Sequence, residues 1–236
     1  MNSRVILVSD DRSSLRSPDT LLWPDAACMR GIHTGEWTAH IFEYAMSFEG
    51  NMTQVRELAA ANGVGVLHPH GALATDPPGL IVCDVDSTVT RTEAIDLLAE
   101  CAGKADEVRE ITARAMVGEL DFTQSLYARV RCLEGLHIGA LEEAWKATVI
   151  TPGTAELVAA AHDVGAAVGL VSGGFTAVVD PLAEQIGADF AASNELEIVD
   201  NHLTGRVVGD IIDRAAKATW LRRWASERGV ALERTI

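Results

Sequence analysis

This chain has no basic stripe. Its 34 acidic residues outnumber its 19 lysines and arginines, giving a formal net charge of −15, and the cations are scattered. Nucleic acids and anionic membranes are gripped by clustered Lys and Arg that displace counterions, so no nucleic acid and no membrane is expected as a partner. Also missing is any apolar run approaching the roughly 20 residues of a membrane span. The opening Val5-Ile6-Leu7-Val8 turns acidic at Asp10-Asp11, too soon for a secretory signal, and reads as a first β-strand. Cys28, Cys83, Cys101 and Cys132 show no C-x-x-C spacing, which indicates neither a zinc site nor a disulfide framework. Unpaired thiols in a reducing cytoplasm are the expectation. An acidic chain can still bind a small phosphate where the local site is positive.

The clearest boundary is the run from His70 to Gly79, where two prolines and two glycines sit within ten residues and suit neither a helix nor a sheet interior. It separates a small domain, 1–76, from a larger one, 77–236. In the first, Thr38 to Ser47 is strand-like, Met52 to Asn62 helix-like and Val64 to Leu67 strand-like, the grammar of a small α+β module of unassigned role. His68-Pro69-His70 has no third ligand nearby and reads as surface punctuation rather than as a metal pair.

Beyond the boundary, Leu80-Ile81-Val82-Cys83 is a continuous apolar run, as a strand buried on both faces of a parallel sheet requires. Four helical stretches follow, about 91–102, 104–118, 121–134 and 138–148. A second buried strand, Ala166 to Val171, leads through Gly173-Gly174 into a helix over about 175–186. A short strand, Asp189 to Ala192, precedes a β-hairpin from Glu195 to Val208 turning at Asp200-Asn201. A last helix runs from about Arg214 to Arg228, with Trp220 and Trp224 on one face as core packing. Strands alternating with helices predict an α/β, doubly wound, Rossmann-like parallel sheet. The helical block after the first core strand, about 91–149, exceeds one crossover and should form a cap over the core segments 77–90 and 150–236.

Asp84-Val85-Asp86-Ser87-Thr88 follows the first buried strand directly. Ligands in open α/β sheets bind beyond the carboxyl ends of strands, and residues two apart on extended chain face the same way. Asp84 and Asp86 can therefore share one pocket, where a cation or proton must relieve their repulsion. Ser172-Gly173-Gly174 follows the next strand; a hydroxyl and two residues without Cβ let backbone N–H groups close on an anion. Lys217 stands among small apolar neighbours, Ala215, Ala216 and Ala218, and an inward-facing cation there could neutralise a phosphoryl group. Each feature has a bland counterpart: an acidic loop, a Gly-rich turn, a solvated lysine.

In this order, Asp-x-Asp-Ser-Thr, Ser-Gly-Gly-Phe-Thr and the lysine resemble the first three motifs of haloacid dehalogenase phosphatases. The stretch Arg114-Ala115-Met116-Val117-Gly118-Glu119-Leu120-Asp121-Phe122, Leu133-Glu134-Gly135-Leu136, Thr151-Pro152-Gly153 and Ala192-Ser193-Asn194-Glu195-Leu196-Glu197 narrow the resemblance to that superfamily's phosphoserine phosphatases. The likeness covers roughly 79–236. It implies Asp84 as nucleophile and Asp86 as general acid and base. It also implies Mg²⁺ held at Asp84 and Asp86, and Ser172, Gly173 and Lys217 on the phosphate. Glu93 would meet a substrate ammonium and Arg129 its carboxylate, with Met116 and Phe122 as the apolar wall. The expected partner is then a small molecule, phosphoserine, with a homodimer as a candidate assembly.

The resemblance also implies a fourth, acidic Gly-Asp-Gly-x-x-Asp segment shortly after Glu233-Arg234-Thr235-Ile236, where this sequence stops. An incomplete fragment with little phosphatase activity is the expectation. A phosphatase for another small ester and a non-catalytic amino-acid-binding regulator remain the alternatives.

Overall fold

A computed structural model describes residues 3–9, 28–33, 38–44, 52–69 and 71–236. His70 and residues 45–47 of the strand-like N-terminal stretch lie outside them. The chain divides into two compact units, Met1–Pro77 and Pro78–Ile236.

The first unit carries β1 (Ser3–Ser9), β2 (Cys28–His33), β3 (Thr38–Tyr44), α1 (Met52–Ala61) and β4 (Gly65–Leu67). The strands form an antiparallel sheet in the order β2-β3-β1-β4. Along β1, Val5, Leu7 and Ser9 are buried while Ile6 and Val8 are half-buried, the period of two that a sheet with one covered face imposes.

The second unit is built on β5 (Leu80–Cys83), β6 (Ala167–Phe175), β7 (Phe190–Val199) and β8 (His202–Val208), adjacent in that order. β5, β6 and the start of β7 are parallel, and β8 returns antiparallel on β7. Asp200 and Asn201 turn that hairpin with φ of 49° and 61°, both left-handed as a two-residue type I′ turn demands. On the other edge of β5, the amide of Ile236 donates to Leu80 O at 3.0 Å and the amide of Val82 to Ile236 O at 2.8 Å, a parallel pairing.

Helices cover both faces, as a doubly wound sheet requires. α6 (Thr154–Asp163) and α7 (Thr176–Ile186) enclose Ile81, Val168 and Leu170 on one face. α8 (Arg214–Glu227) encloses Leu80, Ala167 and Val171 on the other through Trp224 and Ala225. Trp224 is 3% exposed and stacks on Phe190 at 5.3 Å between centroids. A Cβ on Gly169 would lie 2.7 Å from its ring, so the glycine is the slot that admits the indole. The α/β expectation holds, with three departures. The short strand expected over Asp189 to Ala192 and the first arm of the hairpin are one continuous β7. α6 is not among the helices expected from the sequence pattern. β6 runs on to Phe175, so Gly173-Gly174 lies inside the strand rather than in a turn after it.

Between β5 and α6 lie α2 (Ala94–Cys101), α3 (Ala105–Met116), α4 (Phe122–Arg131) and α5 (Gly139–Ala147). Leu98, Val108, Leu126, Val130 and Leu133 form their shared core, which continues into Phe175 and Val178 of the sheet domain. The two segments joining cap to core are zipped together: the amide of Arg91 donates to Val149 O at 2.7 Å and that of Thr151 to Val89 O at 2.9 Å. Among the described residues no helix is long and apolar enough to cross a membrane, and Cys83, Cys101 and Cys132 are unpaired.

Candidate active site

β5 delivers Asp84 to the carboxyl edge of the sheet, and the chain then tightens into a short turn, Val85–Val89. Asp84 Oδ1 accepts from the amide of Val85 at 2.9 Å and from Lys217 Nζ at 2.6 Å. Asp86 is held from two sides: Oδ1 accepts from the amide of Ala94 at 3.0 Å and Oδ2 from Ser172 Oγ at 2.8 Å. Its carboxylate thereby ties the turn to the first residue of α2 and to β6. Both aspartates keep extended backbone, with Asp84 at φ −69°, ψ 158° and Asp86 at φ −62°, ψ 130°, which is why residues two apart reach one pocket.

Lys217 comes from the first turn of α8. Asp213 caps that helix by accepting from the amide of Ala216 at 2.8 Å, satisfying a donor that the helix leaves open. The Asp84–Lys217 pair is partly open, with side chains 48% and 30% exposed, so its members remain available to a ligand.

The cap supplies the other end. α4 begins with a capping box in which Gln124 N donates to Asp121 Oδ1 at 2.7 Å and Asp121 N to Gln124 Oε1 at 3.0 Å. With the start so defined, Phe122, Leu126 and Arg129 recur at the spacing of one helix face, and all three line the pocket. Arg129 Nε donates to Ser125 O at 3.3 Å. Burial draws its guanidinium below the ordinary arginine value, against the opposing pull of Glu93, Asp96 and Asp86. It stays charged at any physiological pH. Its environment is that of a partly desolvated cation facing carboxylates.

These elements enclose about 220 Å³, lined by Asp84, Asp86, Glu93, Phe122, Arg129, Gly173 and Lys217 among others. Two expected site residues are not brought to that lining. Met116 ends α3 and is 84% exposed, because the helix stops there and the chain turns away through Gly118. Ser172 is fully buried; its hydroxyl proton goes to Asp86, and its oxygen accepts from the amide of Gly174 at 2.8 Å. In this arrangement it braces the Asp86 carboxylate rather than facing the cavity.

Two residues of this neighbourhood escaped sequence reasoning. Asn194, 1% exposed, donates to Gly173 O at 2.8 Å and accepts from the amide of Ile212 at 2.9 Å. It bolts the glycine segment to the chain leading into α8. Ser87 donates to Glu93 Oε1 at 3.1 Å. No local sequence signal marks Asn194, which stands among Ser193, Glu195 and Glu197 in β7 and whose partners are 21 and 18 residues away.

Comparison with known proteins agrees with this arrangement. Residues 81–236 match the family model of haloacid dehalogenase-like hydrolases. A phosphoserine phosphatase of Streptomyces coelicolor is 50% identical over 178 residues, which are 75% of this chain and 43% of the relative. One of Streptococcus thermophilus is 48% identical over 158 residues, 67% of this chain and 74% of the relative. The chain thus spans less than half of the first and about three quarters of the second. The unliganded crystal structure of a probable phosphoserine phosphatase from Vibrio cholerae superposes with a TM-score of 0.78 at 33% identity, covering 98% of this chain and 71% of that one. By its family match, its relatives and its capped α/β core, the chain belongs to the haloacid dehalogenase-like hydrolases.

Proposed function

We propose that this chain acts on O-phospho-L-serine, hydrolysing it to L-serine and phosphate through a phosphorylated Asp84, the closing step of serine biosynthesis. The observation that carries the reading is one cavity with two differently charged ends. Asp84, Gly173 and Lys217 suit a phosphoryl group, and Glu93 and Arg129 suit the ammonium and carboxylate of an amino acid. The curated relatives that carry the name of this activity support it.

The Val85 amide and Lys217 hold Asp84 through Oδ1, which leaves Oδ2 for attack. As the Asp84 oxygen–phosphorus bond forms, the bond from phosphorus to the serine oxygen breaks, and Asp86 gives that oxygen its proton. Asp86 then takes a proton from water, whose oxygen bonds to phosphorus and releases Asp84 as a carboxylate. Lys217 offsets the phosphoryl charge, and Gly173 lets the group approach the backbone. The Ser172 and Ala94 bonds keep Asp86 aimed at the leaving oxygen. Arg129 forks onto the substrate carboxylate, Glu93 accepts from its ammonium, and Phe122 walls off solvent.

Mg²⁺ is the cofactor of this reading; held at Asp84 and Asp86 it would offset the negative charge of the phosphoryl group. The Asp84 carboxylate and the Asp86 backbone carbonyl are oxygen donors that fit such a hard ion. Among the described residues no group of three or more His, Cys, Asp or Glu stands ready to hold a metal.

The test is phosphate release from phosphoserine and from p-nitrophenyl phosphate, with Mg²⁺, by wild type and Arg129→Ala. A charge-assisted bond is worth about 1.5–3 kcal/mol, so kcat/KM for phosphoserine should fall about 10- to 100-fold. The ester without a carboxylate should change less than about threefold. Turnover by this chain is expected to be low, so the comparison rests on the ratio of the two substrates; equal losses on both would refute the assignment.

A further inference from the structure

We infer that Ser87 is the positioning residue that aims Glu93 at the substrate ammonium, and so sets the preference for an amino-acid ester over its desamino counterpart. The inference rests on the functional reading above and deepens it. Its starting point is backbone strain. Ser87, Asp200 and Asn201 are the non-glycine residues with positive φ among those described. The latter two are explained by their hairpin turn. Ser87, at φ 57° and ψ 17°, has no such turn, and stands directly after Asp86. Strain of this kind persists where surrounding bonds over-determine it, and it gathers at active sites.

What the strained conformation achieves is visible in its one side-chain bond. The left-handed residue turns its hydroxyl back toward the root of the cap, where Ser87 Oγ donates to Glu93 Oε1 at 3.1 Å. Glu93 needs such a partner. It occupies the N-cap position of α2 with extended backbone, φ −107° and ψ 128°, but its side chain makes no capping bond to that helix. A glutamate with three free rotors and no anchor would spread its charge over many positions, and ordering it would cost binding energy. Bonded through one oxygen, it keeps the other for a donor in the cavity that it lines with Arg129. The same turn that fixes Asp86 for chemistry therefore fixes the carboxylate for recognition, through adjacent residues.

The experiment is titration calorimetry of the chain with O-phospho-L-serine and with 3-phosphooxypropanoate, the same ester without the amino group. Wild type, Ser87→Ala and Ser87→Gly are compared, with Ser87→Ala repeated on Glu93→Ala. Alanine keeps the strain and glycine relieves it, yet both lose the hydroxyl. Both should weaken phosphoserine binding about three- to tenfold, the scale of one exposed charge-assisted bond. Both should leave the desamino ester within about twofold, and the Ser87→Ala effect should vanish without Glu93. Equal weakening of both ligands, divergent results for alanine and glycine, or an effect that survives Glu93→Ala would overturn the inference alone. Failure of wild type to bind phosphoserine at all would overturn the functional reading and this inference with it.

Discussion

Replacing Gly174 with alanine would place a methyl carbon 2.6 Å from Asp86 Oδ2 and 3.0 Å from Ser172 Oγ. Neither neighbour can yield cheaply. The Asp86 carboxylate is bonded on both oxygens, and the Ser172 hydroxyl is fully buried between Asp86 and the Gly174 amide. Restoring ordinary contact needs a retreat of roughly half an ångström, which breaks or lengthens the Ser172–Asp86 bond. Losing a charge-assisted bond costs about 1.5–3 kcal/mol, and for a protein of this length about 2 kcal/mol lowers the melting temperature by roughly 4–8 °C. On the proton-transfer role proposed for Asp86, displacing its carboxylate by about half an ångström costs at least about tenfold in kcat. Gly173→Ala supplies the comparison, because its Cβ would meet Phe122 Cζ at 2.8 Å, the far end of a ring that can swing aside. Thermal unfolding and phosphate release would be measured on both variants. A Gly174→Ala protein that melts within about 1 °C of wild type with kcat within about twofold would refute the reasoning. So would a Gly173→Ala protein that is the less stable of the two.

Asn194→Ala strands the carbonyl of Gly173 and the amide of Ile212 in a buried setting. At about 1–3 kcal/mol for each unsatisfied group, the variant should lose roughly 2–5 kcal/mol in urea unfolding; a loss below about 1 kcal/mol would show that the two groups find other partners. Asp189 gives a pH dependence. Burial pushes its carboxyl up, but the Val168 amide, His162 and Arg228 outweigh this and hold it below the ordinary value of 3.8. A depressed folded pKa stabilises above the unfolded pKa and loses that contribution as pH falls through the folded one. Wild type should therefore exceed Asp189→Asn by about 1 kcal/mol at pH 7, with the gap holding to near pH 4 and closing below it. Urea titrations from pH 7 down to pH 3 would read this, and a gap unchanged at the acid end would sink it.

Much of the architecture could be read in one dimension because its causes are local. A strand buried on both faces must be apolar throughout, so Leu80–Cys83 announced itself, and Asp84 and Asp86 at its end announced the pocket edge. Phe122 and Arg129 entered through the family resemblance, and the capping box of Asp121 and Gln124 that starts their helix emerged with the structure. Asp200-Asn201 tolerated positive φ and made a hairpin. α6 went unread because its sequence is alanine-rich, with Leu157 turned to solvent at 46% exposure and little more than Val158 and Ala161 facing the core; propensity rather than periodicity was its signal.

The remainder depended on residues distant in sequence, where no spacing rule applies. An apolar Met116 suits a pocket wall as well as a helix end, and only the end of α3 turned it outward. A serine beside two glycines suits a phosphate, but the 2.8 Å approach of Asp86 across 86 residues gave the Ser172 hydroxyl its partner. Gly169 is an unremarked strand residue until Trp224 arrives from the last helix to occupy the space above it. Sequence by itself determined which segments become strands and helices and which chemical groups stand at their ends, since those follow from burial period and backbone preference. Tertiary structure decided which of those groups face one another, because a hydrogen bond or steric contact between distant residues exists only once the chain has packed.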